Sequence, residues 1–240
     1  MKRFNKSVYS IALAAVAISL TACSDNDNDP VEEIVEVEPV PVVSTYEVSV
    51  VNLTAGQPAS PIAVALHGSD VALWSVGESS SDGLALLAES GDNTEFLANE
   101  NLLVTASAEG PTPPGESVVV SISIEDNDMS AMTVASMLGN TNDAFTGFTG
   151  MDLSTLEVGD SVTHYTHAYD AGTEANTESA DDVPGPAAGG EGPSEGREPH
   201  DFVTLHPGVV TLEGGLSSSV LTNDQRFDNP VLKISVTRME

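Results

Sequence analysis

Val118-Val119-Val120-Ser121-Ile122-Ser123-Ile124 decides the class of fold. From Val120 onward apolar and hydroxyl side chains alternate, and every apolar one is β-branched. That is the pattern of a strand with one face in a core and the other in water. The same signature, bounded by Gly, Pro, Asn and Asp, recurs at 48–53, 62–67, 71–76, 132–137, 161–167 and 231–237. Many short strands with turn chemistry between them predict an all-β chain, an antiparallel β-sandwich with long acidic loops, and argue against a parallel α/β sheet. Two short helices are expected at 82–90 and 94–100, with Leu84, Leu86, Leu87, Phe96 and Leu97 capping one end of a barrel-like core. Both are below the length at which a helix stands alone in water.

Upstream of the first strand the composition is different. Lys2, Arg3 and Lys6 precede the apolar run Ile11-Ala12-Leu13-Ala14-Ala15-Val16-Ala17-Ile18, which is too short to span a bilayer and is read as a secretory signal over residues 1–22. The run Leu20-Thr21-Ala22-Cys23 resembles the lipobox of bacterial lipoproteins, in which the Cys is acylated and becomes the new N-terminus. Ser24 after it resembles the sorting pattern for the outer membrane, leaving the protein facing the periplasm or the outside. Cys23 is the only cysteine in the sequence, so the fold stands without an intramolecular disulfide. Residues 23–44 comprise the lipidated Cys and an acidic, proline-bearing tether with too little apolar content to order itself. Asp25, Asp27, Asp29 and Glu36 fall at EF-hand ligand positions, but Pro30 stands where that loop needs Gly and no amphipathic helices flank it. Residues 45–240 then make one domain.

The full sequence carries 7 Lys+Arg against 37 Asp+Glu. Removing residues 1–22 takes away three basic residues and no acid, leaving 4 against 37 and a net charge of −33. Phosphate backbones need Lys and Arg to displace their counterions, so DNA and RNA are excluded as partners. Such a surface favours solubility and gathers cations.

Two loops concentrate acids at strand ends. Asp143 closes Ser136-Met137-Leu138-Gly139-Asn140-Thr141-Asn142-Asp143, and Asp170 and Glu174 lie in Tyr169-Asp170-Ala171-Gly172-Thr173-Glu174-Ala175-Asn176. Gly172 permits the tight turn that brings Asp170 and Glu174 onto one centre, with Asp143 as a third arm. A hard cation such as calcium takes six to eight oxygen ligands, and loop carboxylates supply them well. The Asp-Ala-Gly-Thr-Glu run, the Ser-Met-Leu-(x)3-Asn-Asp-(x)3-Gly pattern at 136–147 and the strand Thr45-Tyr46-Glu47-Val48-Ser49-Val50 with Asn52-Leu53-Thr54 together resemble the spondin N-terminal domain, in its form on bacterial exported proteins. The resemblance runs from Thr45 to the C-terminus. It implies a β-sandwich holding one calcium ion, with the ligands carried over to Asp143, Asp170 and Glu174, Glu174 standing where animal members usually have Asp. In animal matrix proteins the domain is associated with adhesion.

The other chemistry-bearing residues are sparse. His164 and His167 are three apart on a strand and point to opposite faces, so they do not clasp one zinc. His200 and His206 share a face of an extended segment, and His206-Pro207-Gly208 resembles a feature of bacterial members of the family. No Gly-x-Ser-x-Gly elbow is present. At 5% aromatic the chain is poor in residues that stack sugars, which weakens a glycosidase reading. Phe145 and Phe148 beside Asp143 are read either as an apolar, ligand-facing lip or as anchors of the loop in the core. The segment 171–199, with Pro184-Gly185-Pro186 and Gly189-Gly190, reads as an exposed, mobile loop beside the acids, either a ligand-facing flap or a dispensable insertion. Together these features predict a lipid-anchored cell-surface protein whose calcium-bearing sandwich is a non-catalytic binding or adhesion module for a surface protein or glycan. The alternatives are a metal-assisted hydrolase using the same acids with His206 or His200, and an ion that only staples loops.

Overall fold

Alternation along the chain becomes pairing between strands. In a computed structural model that describes residues 42–125, 131–193 and 201–240, strand β1 (Val43–Asn52) buries Tyr46, Val48, Val50 and Asn52 on one face. It lies between β4 (Ser117–Glu125) and β10 (Leu232–Arg238), with β7 (Ser161–Thr166) beyond β10, and every pair is antiparallel. The register sets Val48 opposite both Val120 and Val236, so the inward face is a continuous patch of β-branched side chains. Cys23, the tether acids and His200 fall outside the described residues.

The second sheet runs β3 (Leu102–Ser107), β2 (Ala63–His67), β5 (Ala131–Met137), β6 (Ala144–Asp152), β8 (Ala168–Asp170) and β9 (Thr204–Leu205), again antiparallel throughout. Val64, Leu66, Met132 and Val134 project from it against Val48, Val50, Ile122, Ile234 and Val236 of the first sheet. Burying each such side chain contributes about 1.5–3 kcal/mol, and this inter-sheet layer is the main core. The all-β antiparallel sandwich read from the sequence is the fold observed. Residues 40–240 form one compact unit, with β1 opening at Val43, ahead of the expected boundary at 45.

β2 and β5 are buried on both faces, unlike a strand that borders water. The cover is helical. α1 (Asp82–Ser90) and α2 (Thr94–Leu97) place Leu84, Leu87 and Phe96 with Trp74 over Ala63, Ala135 and Phe145. The helices therefore lie on the outer face of the six-stranded sheet, where the sequence reading had them capping one end of the core. α1 is fixed at both ends: the Ser81 hydroxyl accepts from Leu84 N (3.2 Å), and Gly91, at φ 76°, donates its N–H to the Leu87 carbonyl (2.9 Å).

Three other expectations need correction. The expected strand at 71–76 is irregular, because its backbone is satisfied elsewhere: Val71 N donates to Gly68 O and Leu73 N to the Thr149 hydroxyl, while Leu73 and Trp74 turn into the outer cluster. β3 and β6 were not read as strands, and in β6 the glycines at 147 and 150 interrupt the pattern. The described part of the 171–199 segment is an exposed loop only in part: Asp181, Pro186, Ala187, Gly189 and Glu191 are exposed, but the run is anchored. Val183 is fully buried against Val209 and Leu221, Ala187 N donates to Asn140 Oδ1 (2.9 Å), and Gly190 N donates to Val183 O (2.8 Å).

Gly147, at φ 147°, crosses β5 so closely that any Cβ would overlap the Val134 carbonyl. Gly147→Ala is expected to cost on the order of 3 kcal/mol or more in urea denaturation. Gly159→Ala, also at positive φ but with open space around it, should cost only about 1 kcal/mol.

Candidate metal centre

The turn from β5 to β6 and the end of β8 meet at one end of neighbouring strands in the six-stranded sheet. Ala144 pairs with Asp170, so Asp143 and Asp170 occupy neighbouring strand ends, and Ala171 N donates to Asp143 O (3.1 Å). Gly172, at φ 73°, then reverses the chain where a Cβ would overlap the Phe202 backbone. Its N–H donates to Asp170 Oδ1 (2.9 Å). The reversal aims Thr173 N and Glu174 N at Asp143 Oδ2 (2.8 and 3.0 Å), with the Thr173 hydroxyl at 3.3 Å. The three acids singled out by sequence are thus brought into one loop cluster, and all are buried.

The platform beneath them is held by side chains bonded to irregular backbone. Thr141 Oγ1 donates to Leu138 O and accepts from Ala144 N. Asn142 Oδ1 accepts from Glu178 N and its amide donates to Thr177 Oγ1. Asn140 reaches Gly56 O and Ala187 N.

Asp143 is the unusual member. It is fully buried, and while Oδ2 holds two amides, Oδ1 has no hydrogen-bond partner among the described residues. Burial, followed by the charge of Asp170, pushes its carboxyl up to about 7 against the opposing hydrogen bonds from Thr173; Glu89 adds to the rise. Among the described residues no group of three or more His, Cys, Asp or Glu stands ready-made in ion-holding geometry. The fit to a hard cation rests instead on that bare buried oxygen and on like charges crowded without a counter-charge.

Behind Asp170 stands a neutral relay. Asn176 Nδ2 donates to Asp170 Oδ2 (2.6 Å), and Asn176 Oδ1 lies 3.1 Å from His206 Nε2. Gly208 N donates to His206 Nδ1 (2.9 Å), so the neutral ring carries its proton on Nε2 and donates it to Asn176. Burial lowers the His206 pKa despite the charges of Asp170 and Glu178, which favours that neutral form. His206 is therefore engaged at both nitrogens and faces Asn176.

Phe145 does not face a ligand. It is fully buried, edge-on to Trp74 (5.2 Å between centroids) and stacked on Tyr169 (5.4 Å), because its strand turns it into the outer core. Two buried acids escaped the sequence reading. Glu178, at φ 52°, accepts from Val210 N (2.6 Å), Thr211 N (2.9 Å) and the Ser219 hydroxyl (2.6 Å). Glu89 sits in the last turn of α1. Its position five residues after Leu84 gave no warning that it would be buried. No protein-family model matches the chain, and no curated protein matches it.

Asp143 gives a pH signature. Its folded pKa of about 7 lies above the ordinary 3.8, so its contribution to stability is full below about 4 and is lost as pH rises towards 7. The loss is roughly 4 kcal/mol at most. In Asp143→Asn the amide oxygen is able to keep the Thr173 and Glu174 donors while no charge is buried. In EDTA that variant should melt above the wild type at pH 8, with the gap shrinking at pH 5. A lower melt at pH 8 would show that the ionised carboxylate is not a burden.

Proposed function

We propose that this protein is an exported, lipid-anchored binding module related to the spondin N-terminal domain, with calcium held at Asp143, Asp170 and Glu174. The buried, unpartnered Asp143 Oδ1 is the observation that carries the cation reading. When bound, calcium would neutralise the clustered carboxylates and supply a coordination partner for that oxygen. Asp143 Oδ2 and the Asp170 hydrogen bonds to Gly172 and Asn176 would hold the two acids in place meanwhile.

The state of His206 weighs against its serving as the base of a metal-assisted hydrolase, the role that alternative gave to His206 or His200. A general base needs a free nitrogen within reach of the proton it takes, and both His206 nitrogens are committed to Gly208 and Asn176. Export and outer-membrane anchoring rest on the signal segment and Cys23. Among the described residues no helix is long and apolar enough to cross a membrane. The partner is a surface protein or a glycan, met by loops that the ion stiffens against the rigid sandwich.

The test is a thermal melt of the chain from Ser24 onward, in EDTA and then with calcium restored. For a dissociation constant of about 10⁻⁴ M, millimolar calcium should add roughly 1.4 kcal/mol, about 3–6 °C in a domain of this size. Asp170→Asn should abolish the shift, whereas Asp27→Asn in the tether should leave it intact. Absence of any calcium shift in the wild type would remove the cation reading.

A further inference from the structure

We infer that the partner of this binding module is a protein, which docks by inserting an aromatic side chain, flanked by Lys or Arg, into a proline-lined cavity beside the acidic loops. The inference rests on the binding-module reading above and narrows it, since that reading leaves both a protein and a glycan open.

The cavity has a volume of about 410 Å³. Ligand clefts run roughly 300–1,000 Å³, so it accommodates a side chain as large as that of tryptophan. Its wall is built from loops and element ends that already touch one another. Gly139 N donates to Pro58 O (2.8 Å), Ser60 N donates to Met137 O (3.0 Å), and a Cβ on Gly185 would overlap the Gly139 carbonyl. The cavity is therefore formed before a guest arrives, and little ordering opposes binding. Gly139 also precedes Asn140, which braces the platform under the acids, so the cavity and the acidic loops share one support.

The chemistry of the wall selects the guest. Pro58, Pro61, Pro111, Pro184 and Pro186 have no backbone N–H, and the amides of Ala59, Ser60, Gly91, Met137 and Gly139 are each spent on a partner within the chain. The hydroxyls are spent too: Ser90 Oγ donates to Leu86 O (2.6 Å), while Ser60 Oγ accepts from Met137 N (2.9 Å) and lies 3.2 Å from Ser136 Oγ. The carbonyls of Pro58, Ala59, Ser60 and Pro61 already accept. A sugar entering here would strip water from hydroxyls that find few replacement partners. An aromatic ring buries apolar area against the proline rings, beside Met137, whose sulfur lies within contact distance of Gly91 and is a favourable neighbour for a ring. Aromatic anchors seated in pockets are where protein interfaces concentrate their binding energy.

Charge sets the flanks of that aromatic residue. No Lys or Arg lines the cavity, and the exposed acids Asp92, Glu109 and Asp181 each stand within three residues of a lining residue. A partner segment with Lys or Arg beside its ring meets these acids favourably. A segment with Asp or Glu, or a second copy of this strongly acidic chain, is repelled.

The isotope-labelled chain from Ser24 onward would be titrated, in calcium and in EDTA, with the blocked tripeptides Lys-Trp-Lys, Lys-Ala-Lys and Glu-Trp-Glu and with cellobiose, and followed by NMR. Lys-Trp-Lys should shift Gly91, Gly139 and the Met137 methyl with a dissociation constant of about 1 mM, and Glu-Trp-Glu should bind at least threefold more weakly. Lys-Ala-Lys and cellobiose should leave those signals in place. Pro111→Trp sets a ring on the rim and should weaken Lys-Trp-Lys at least fivefold, with the calcium response of the melt unchanged; Pro186→Trp tests the same point if Pro111→Trp does not fold. Equal shifts with Lys-Ala-Lys would reduce the contact to charge and overturn the inference, as would no response to Lys-Trp-Lys. Shifts at these residues with cellobiose would give the cavity to a glycan, overturning the inference while the binding-module reading stands. Shifts that grow with protein concentration alone would mark a second copy as the occupant and overturn it equally. Lys-Trp-Lys binding in a wild type that shows no calcium response would support the inference and defeat only the cation reading.

Discussion

One carboxylate oxygen, Asp143 Oδ2, holds the amides of Thr173 and Glu174 and thereby fixes where the chain goes after β8. Strands satisfy their own backbone through ladders, but from Ala171 to Thr222 the described chain has almost no ladder. Its donors must find turn carbonyls or side chains instead. Acidic and amide groups provide them repeatedly: Asp170 for Gly172, Glu178 for Val210 and Thr211, Asn140 for Ala187, and Asp182 for the hydroxyls of Thr177 and Ser179. Hydrogen bonds to charged acceptors are worth about 1.5–3 kcal/mol each, against the cost of burying the charge. Asp143, Asp170, Glu178 and Asp182, acids that look in sequence like part of a solvated face, are therefore part of the framework of this irregular segment.

That distinction explains what was legible in the sequence. Period-two alternation reports a strand with one wet face, and β1, β4, β7 and β10 were found through it. Where glycine breaks the rhythm the signal fails, as in β6 with Gly147 and Gly150, whereas β2 and β5, covered on both faces, were still legible as short bounded apolar runs. Over 71–76 the apolar residues were real core residues, but their burial comes from packing beside α1 and α2, without strand pairing. The helix at 82–90, expected from its leucines, has the limits read for it, and the caps that set them, Ser81 and Gly91, are local and need no distant partner. α2 stops at Leu97, short of the expected 100.

The site was legible in part for the same reason. Gly172 between Asp170 and Glu174 is a local signal, and its positive φ is the turn that signal implied. That Asp143 meets them depends on the pairing of Ala144 with Asp170 across two sheet strands, a contact that no local signal in the sequence fixes. Glu89 and Glu178 carried no local mark. Pro184-Gly185-Pro186 has the composition of a solvent loop, yet it lies on the chain at Gly139 and Asn140, where only glycine at 185 leaves room for the Gly139 carbonyl.

Shortage of positive charge sharpens the contrast among the buried acids. Arg226, Lys233 and Arg238 are the only Lys or Arg among the described residues, and Arg238 is committed to Leu156 O, Glu240 O and the Ser44 hydroxyl. A buried carboxylate here is stabilised by amides and hydroxyls, by taking up a proton, or by a cation from solution. Glu178 has taken the first route fully: both of its oxygens are served by three donors, and an ion there would have to break them. Asp143 has taken it halfway, with one oxygen served and one bare, and it holds its proton up to about pH 7 as the partial remedy. A cation would gain most where the least has already been done, which would favour Asp143 over Glu178.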